Sequence, residues 1–189
     1  IRRRSYKRNK RGTKKISKSM SIIKKIIFKS LILTIFLITF AYSEDLKKLG
    51  TFKDWVAVIV SNDSGTVCFA QSKPVLQSPK KGDREARLTV SFRPSEKILD
   101  EISTTSGYEY NSQNSIIATS GKSKYKFDIA QDNFAWISNN KIEKKIVKRM
   151  KKASRIMVKG YNQSGSQTID HYSLMGFTKA YNTAKKSCT

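Results

Sequence analysis

The chain predicts a mainly β fold, an antiparallel β-sandwich or barrel-like domain with an amphipathic helix at about 139–152 and a C-terminal helix. Three observations carry this. Short runs rich in Val, Ile, Phe and Thr are cut by clusters of Gly, Asn, Ser and Pro, the pattern of short strands joined by turns. Only two stretches repeat apolar residues at helical spacing, and both come late in the chain. Strands and helices do not alternate as βαβ units, which argues against a parallel sheet. No repeat of solenoid period is present.

The elements follow in order. Lys47–Asp54 reads as a lead-in. Trp55–Val60 and Thr66–Ser72 flank the turn Asn62-Asp63-Ser64-Gly65 and form a hairpin. Pro74, Pro79 and Gly82 make the next segment a loop. In Ala86–Phe92, Leu88, Val90 and Phe92 share one side, and Arg93-Pro94 ends the strand. Short strands follow at Glu101–Thr105, Ser115–Thr119 and Lys124–Ile129, separated by Gly107, Asn111–Asn114 and Gly121. Phe134–Ile137 leads into the first helix. Ile142, Ile146, Met150 and Ala153 mark its apolar face, and Ser138 or Asn139 can cap it. Arg155–Lys159 and Ser166–Leu174 pair across Gln163-Ser164-Gly165. After Gly176 the last helix places Phe177, Ala180, Tyr181, Ala184 and Cys188 on its inner face. The expectation is about eight strands and two helices.

Ahead of this domain, Met20–Ser43 has the form of a secretory signal peptide. Lys24, Lys25 and Lys29 precede the apolar run Leu31–Phe40, and Ala41-Tyr42-Ser43 supplies small residues before a cut near Ser43/Glu44. The run is about half the roughly 20 apolar residues that a spanning helix needs. An uncleaved signal anchor is the competing reading. The residues thus divide the chain into 1–19, an over-extended reading frame or a basic arm; 20–43, the signal; and 44–189, one domain.

This division changes the meaning of the charge. The net charge is +24, but residues 1–43 hold 13 of the positive charges and no acid, so Glu44–Thr189 carries +24 less 13, or +11. A basic protein of this size ordinarily suggests nucleic acid. Loss of the signal removes most of that argument, and no nucleic-acid partner is expected of the mature domain. The remaining excess concentrates between Lys141 and Lys159, where Glu143 is the lone acid. Lys144, Lys145, Lys148, Arg149, Lys151 and Lys152 are the candidate contact for an anionic envelope component or an acidic protein, against the plainer reading of a solvated helix face. Membrane contact is expected only through the signal or peripherally.

Cys68 and Cys188 are the only cysteines. In an oxidising compartment an even pair predicts a disulfide, here closing a long loop between an early strand and the last turn. Nothing supplies a redox Cys-x-x-Cys pair or a zinc ligand set, so no metal or cofactor is expected.

A family resemblance runs through Trp55, Val67–Pro74, Arg87 and Phe92-Arg93-Pro94, then Glu101-Ile102-Ser103, Gly107-Tyr108 and Ala135-Trp136. The series continues through Met150–Ser154, Val158-Lys159-Gly160, Asp170–Leu174 and Gly176–Ala180, and closes on Cys188. In this order it resembles the invasion-associated locus B family of exported bacterial proteins. The resemblance implies a periplasmic or envelope-associated β-sandwich without established catalytic residues, and it supports the Cys68–Cys188 bridge. Further cysteines carried by members of that family are absent here, which leaves no second bridge.

Catalytic motifs are sparse. His171 is the only histidine; Ser173 shares its strand face, and Asp170 points the other way. No Gly-x-Ser-x-Gly elbow is present. Asp100-Glu101 reads as surface charge rather than a glycosidase pair, and Gly160–Gly165 as a hairpin turn. Arg87 and Arg93 flank a strand end, where they can meet an anion or brace a turn. The expectation is an exported, non-enzymatic binding or envelope-maintenance module. The alternatives are a basic nucleic-acid-binding protein that keeps its N-terminus, and a small hydrolase built on His171.

Overall fold

The computed structural model describes residues 45–62, 65–80 and 84–188. The expected basic arm and signal lie outside them. Glu44–Thr189 is a compact unit, and the core residues run from Trp55 to Cys188, so the domain closes on its own interior.

Two antiparallel sheets form the body. The first has seven strands, in the order β1-β2-β3-β5-β6-β10-β9. These are β1 (Asp45–Phe52), β2 (Trp55–Asn62), β3 (Gly65–Ser72), β5 (Ala86–Arg93), β6 (Ile98–Ser106), β9 (Ile129–Gln131) and β10 (Phe134–Trp136). The second has five, in the order β4-β12-β11-β7-β8: β4 (Leu76–Ser78), β7 (Ile116–Ser120), β8 (Ser123–Phe127), β11 (Arg155–Tyr161) and β12 (Gln167–Ser173). The helices are α1 (Asn140–Met150) and α2 (Phe177–Cys188). The sandwich expectation holds, and neither sheet closes into a barrel.

The differences from the sequence reading are physical. The lead-in is strand β1, which pairs with β2 from Asp45↔Ser61 to Phe52↔Trp55 with a register shift between Lys48 and Gly50. That irregularity breaks the alternation that would have marked it. The proline-rich loop holds β4, and Phe134–Trp136 is strand β10 rather than a helix lead-in. These three-residue strands are too brief to show a period, and the described residues form twelve strands rather than eight.

Alternation sorts the core. Trp55 and Ala57 on β2, Cys68 and Ala70 on β3, and Leu88, Val90 and Phe92 on β5 all point inward and are fully buried. Against them lies α2, with the inner face expected of it: Phe177, Ala180, Tyr181, Ala184 and Cys188 are buried. The Phe177 ring meets Trp55 edge-on at 4.7 Å, and Tyr181 meets Phe92 at 5.4 Å. Alanines on both sides let helix and sheet approach closely. The Trp55 indole N–H donates to the Ser173 carbonyl at 2.8 Å, tying the seven-stranded sheet to the end of β12.

A second cross-link is ionic. Asp170 on β12 is fully buried and receives both arms of Arg84, at 2.5 and 3.1 Å, while Arg84 also donates to the Ser106 carbonyl at 2.7 Å. Such a pair is costly to break from one side, because the orphaned charge stays buried.

The chain enters α2 through Gly176, whose φ is +90°. A Cβ there would stand 1.8 Å from the Phe52 carbonyl oxygen, which is backbone and cannot step aside. At the other end the sulfurs of Cys68 and Cys188 lie 2.12 Å apart, a disulfide across a separation of 120 residues.

Two stability predictions follow from this clamp. The double change Cys68→Ala/Cys188→Ala should lose about 3 kcal/mol in urea unfolding, since a loop this long strongly restricts the unfolded chain; a loss below about 1 kcal/mol would contradict the assignment. Gly176→Ala should lose about 2 kcal/mol or more by the same measurement, through clash and strain together. Unchanged stability there would mean that the helix can shift away from β1.

Candidate functional site

The basic run centres on α1. Asn139 caps the helix, its side-chain oxygen accepting the Lys141 N–H at 2.9 Å. The helix packs against β6 and buries Ile146, Val147 and Met150. Ile142, expected on the apolar face, is instead partly exposed.

Glu143, the lone acid of the run, is buried with the apolar residues. Its carboxylate accepts the Ile102 N–H at 3.0 Å. Burial pushes its pKa above the ordinary 4.5; that hydrogen bond opposes the shift, and the nearby Glu101, Asp100 and Asp128 carboxylates add to it. The consequence for the surface is direct. With its acid turned inward, the outer side of α1 presents Lys144, Lys145 and Lys148 to solvent, with Lys152 exposed just beyond the helix.

The other two candidates are placed differently. Arg149 is half-buried and packs on the β7–β8 turn, where a Cβ on Gly121 would lie 2.4 Å from its Nη2. Its Nε is buried without a hydrogen-bond partner. Lys151 sits over the Tyr181 ring with its Nζ 3.8 Å from the centroid. Desolvation lowers its pKa, against the attraction of Asp100. Arg149 is therefore a seam between α1 and the second sheet, and Lys151 a seam between the two helices.

This second seam brings in residues that the sequence reading did not join to the run. The Lys185 Nζ on α2 stands 5.8 Å from the centroid of the same Tyr181 ring, and Lys186 beside it is exposed. The Tyr181 hydroxyl donates to Asp100, which is buried rather than surface charge. The i, i+4 step from Tyr181 to Lys185 was legible in the sequence, but the meeting of two helix ends was not.

The remaining candidates are structural or apart. Arg93 grips Glu101 through two bonds, at 2.9 and 2.6 Å, and Glu96 at 3.1 Å, so it braces the turn. Arg87 pairs with Glu85. Asp170 faces inward and His171 outward, as alternation requires. Trp55, Tyr172 and Phe177 are core residues. Trp136 is half-buried and stacks beside Phe134 at 5.8 Å. It lines a cavity of about 510 Å³ with Leu99, Ile129, Arg93, Glu101 and Glu143. No described helix is long and apolar enough to cross a membrane.

The architecture defines a class: a two-sheet antiparallel domain with its C-terminal helix strapped against the seven-stranded sheet by one disulfide. The family model described as Invasion associated locus B (IalB) protein matches residues 55–185, and the chain belongs to that family. No curated protein and no solved structure matches the chain significantly.

Glu143 yields a pH prediction. A carboxyl whose folded pKa is raised binds its proton more tightly folded than unfolded. Its contribution is most favourable below the ordinary 4.5 and declines as pH rises through the folded value. Glu143→Gln should remove that decline and be at least as stable as the parent at neutral pH, because the amide oxygen still accepts from Ile102. Glu143→Ala should lose about 1–3 kcal/mol, leaving the N–H unpaired. Urea unfolding across the acid-to-neutral range checks both; a marked loss for the Gln variant at neutral pH would show that the charge itself stabilises.

Proposed function

We propose that this protein is exported to the periplasm, with a signal cleaved near Ser43/Glu44, and that it acts there without catalysis by binding an anionic envelope component or an acidic protein. One observation supports this above the others. The only acid of the α1 run is withdrawn into the core, so the outward cations Lys144, Lys145, Lys148 and Lys152 face solvent with no acid of their own helix beside them. Lys151, Lys185 and Lys186 extend the same sign across Tyr181 to α2. A field of one sign attracts its counter-charge over roughly a Debye length, about 8–10 Å in ordinary salt. The bridge joining Cys68 and Cys188 is at home in an oxidising compartment.

The combined change Lys144→Glu/Lys145→Glu/Lys148→Glu should weaken retention on immobilised anionic envelope extract by about tenfold or more, and the binding of the parent should fall as salt rises. Retention equal to the parent would sink the role of α1. Cell fractionation with mass spectrometry of the N-terminus tests export separately, and a cytosolic chain that keeps residues 1–43 would refute it.

A further inference from the structure

We propose that the outer face of the five-stranded sheet is a docking surface for a bilayer containing anionic phospholipid. The strand registers place its residues. On β11, alternation turns Ile156, Val158 and Gly160 into the core and Arg155, Met157, Lys159 and Tyr161 outward. Met157 stands between His171 on β12 and Thr119 on β7, and Lys159 between Ile169 and Ile117. The next strand, β8, adds Lys124 opposite Thr119 and Lys126 opposite Ile117. At the far edge Leu76 of β4 pairs with His171 and is 54 % exposed.

Two properties distinguish this face. First, it carries no Asp or Glu: the acid of β12, Asp170, is on the inner side and held by Arg84. Asp128, just past the end of β8, is held by the N–H and hydroxyl of Ser138. Lys124, Lys126, Lys159 and Arg155 form no ion pair with a described residue, whereas on the seven-stranded sheet Arg87 and Arg93 are paired with carboxylates. Second, the cations are interleaved with apolar side chains, Ile117, Met157, Ile169 and Leu76, and with Tyr161. Cations alone would suit any polyanion. Aliphatic side chains and a tyrosine among lysines on one sheet face suit the interface of an anionic bilayer, where phosphates meet the lysines and the apolar groups enter the headgroup boundary. Five strands at about 4.8 Å spacing give a face roughly 19 Å wide.

This surface is carried by strands rather than by α1, which meets the sheet where Arg149 packs on the β7–β8 turn, and the inference rests on the proposed envelope function only in requiring a membrane within reach. The test uses residues 44–189, the compact unit, in co-sedimentation with vesicles of phosphatidylglycerol and phosphatidylcholine, vesicles of phosphatidylcholine alone, and soluble polyphosphate as a competitor. The parent should bind only the anionic vesicles. Lys124→Glu/Lys126→Glu/Lys159→Glu should weaken binding by about tenfold or more, and the neutral set Lys124→Gln/Lys126→Gln/Lys159→Gln should weaken it less. Lys144→Glu/Lys145→Glu/Lys148→Glu on α1 should keep most of it. Circular dichroism confirms folding of each variant. The proposal is overturned if the parent ignores anionic vesicles, if the sheet variant binds like the parent, or if polyphosphate binds while vesicles do not. A parent that ignores vesicles but is retained on envelope extract through α1 overturns the sheet face and leaves the α1 reading standing.

Discussion

The C-terminal helix packs one face against the seven-stranded sheet, and the rest of the structure depends on holding it there. Cys188 is bonded to Cys68 on β3, and Phe177 and Tyr181 pack edge-on against Trp55 and Phe92. Without α2 the inner faces of β1, β2, β3 and β5 would lose their cover. The entry to the helix is equally constrained, since Gly176 passes so close to the Phe52 carbonyl that no side chain fits. The same docking brings Tyr181 under Lys151 and joins the basic ends of the two helices.

A second regularity concerns charge. Several acids of the domain are taken up by its construction. Asp170 holds Arg84, Glu101 and Glu96 hold Arg93, Glu85 holds Arg87, Asp100 takes the Tyr181 hydroxyl, and Glu143 takes the Ile102 N–H. The ion pairs among the described residues all use arginine, whose forked donors suit paired geometry. The lysines of α1 and of the five-stranded sheet face solvent or rings. A modest excess of positive charge thereby collects on the outer side of α1 and on the outer face of the five-stranded sheet.

Much of the fold was legible because alternation is a local signal. The hairpin Trp55–Ser72, the strand ending at Arg93-Pro94 and the inner face of α2 could all be read from spacing alone. Strand β1 was not, because its register shift between Lys48 and Gly50 spoils the period. Strands β4, β9 and β10 have three residues each, too few to show one. The site was half legible. The run of lysines is plain in the sequence, but the inward turn of Glu143 depends on where β6 offers an unpaired N–H, and that is a tertiary fact.

By itself the sequence determined the β class, the two helices, the buried face of α2 and the candidate cysteine pair, because each follows from the 2-residue and 3.6-residue periods of single elements or from simple count. The tertiary structure decided the order of strands in each sheet, the burial of Asp100, Asp170 and Glu143, the meeting of Lys151 with Lys185 over Tyr181, and the acid-free face assembled from five strands. Those properties belong to residues far apart in the chain. Only the pairing of strands and the docking of helices bring them to one place.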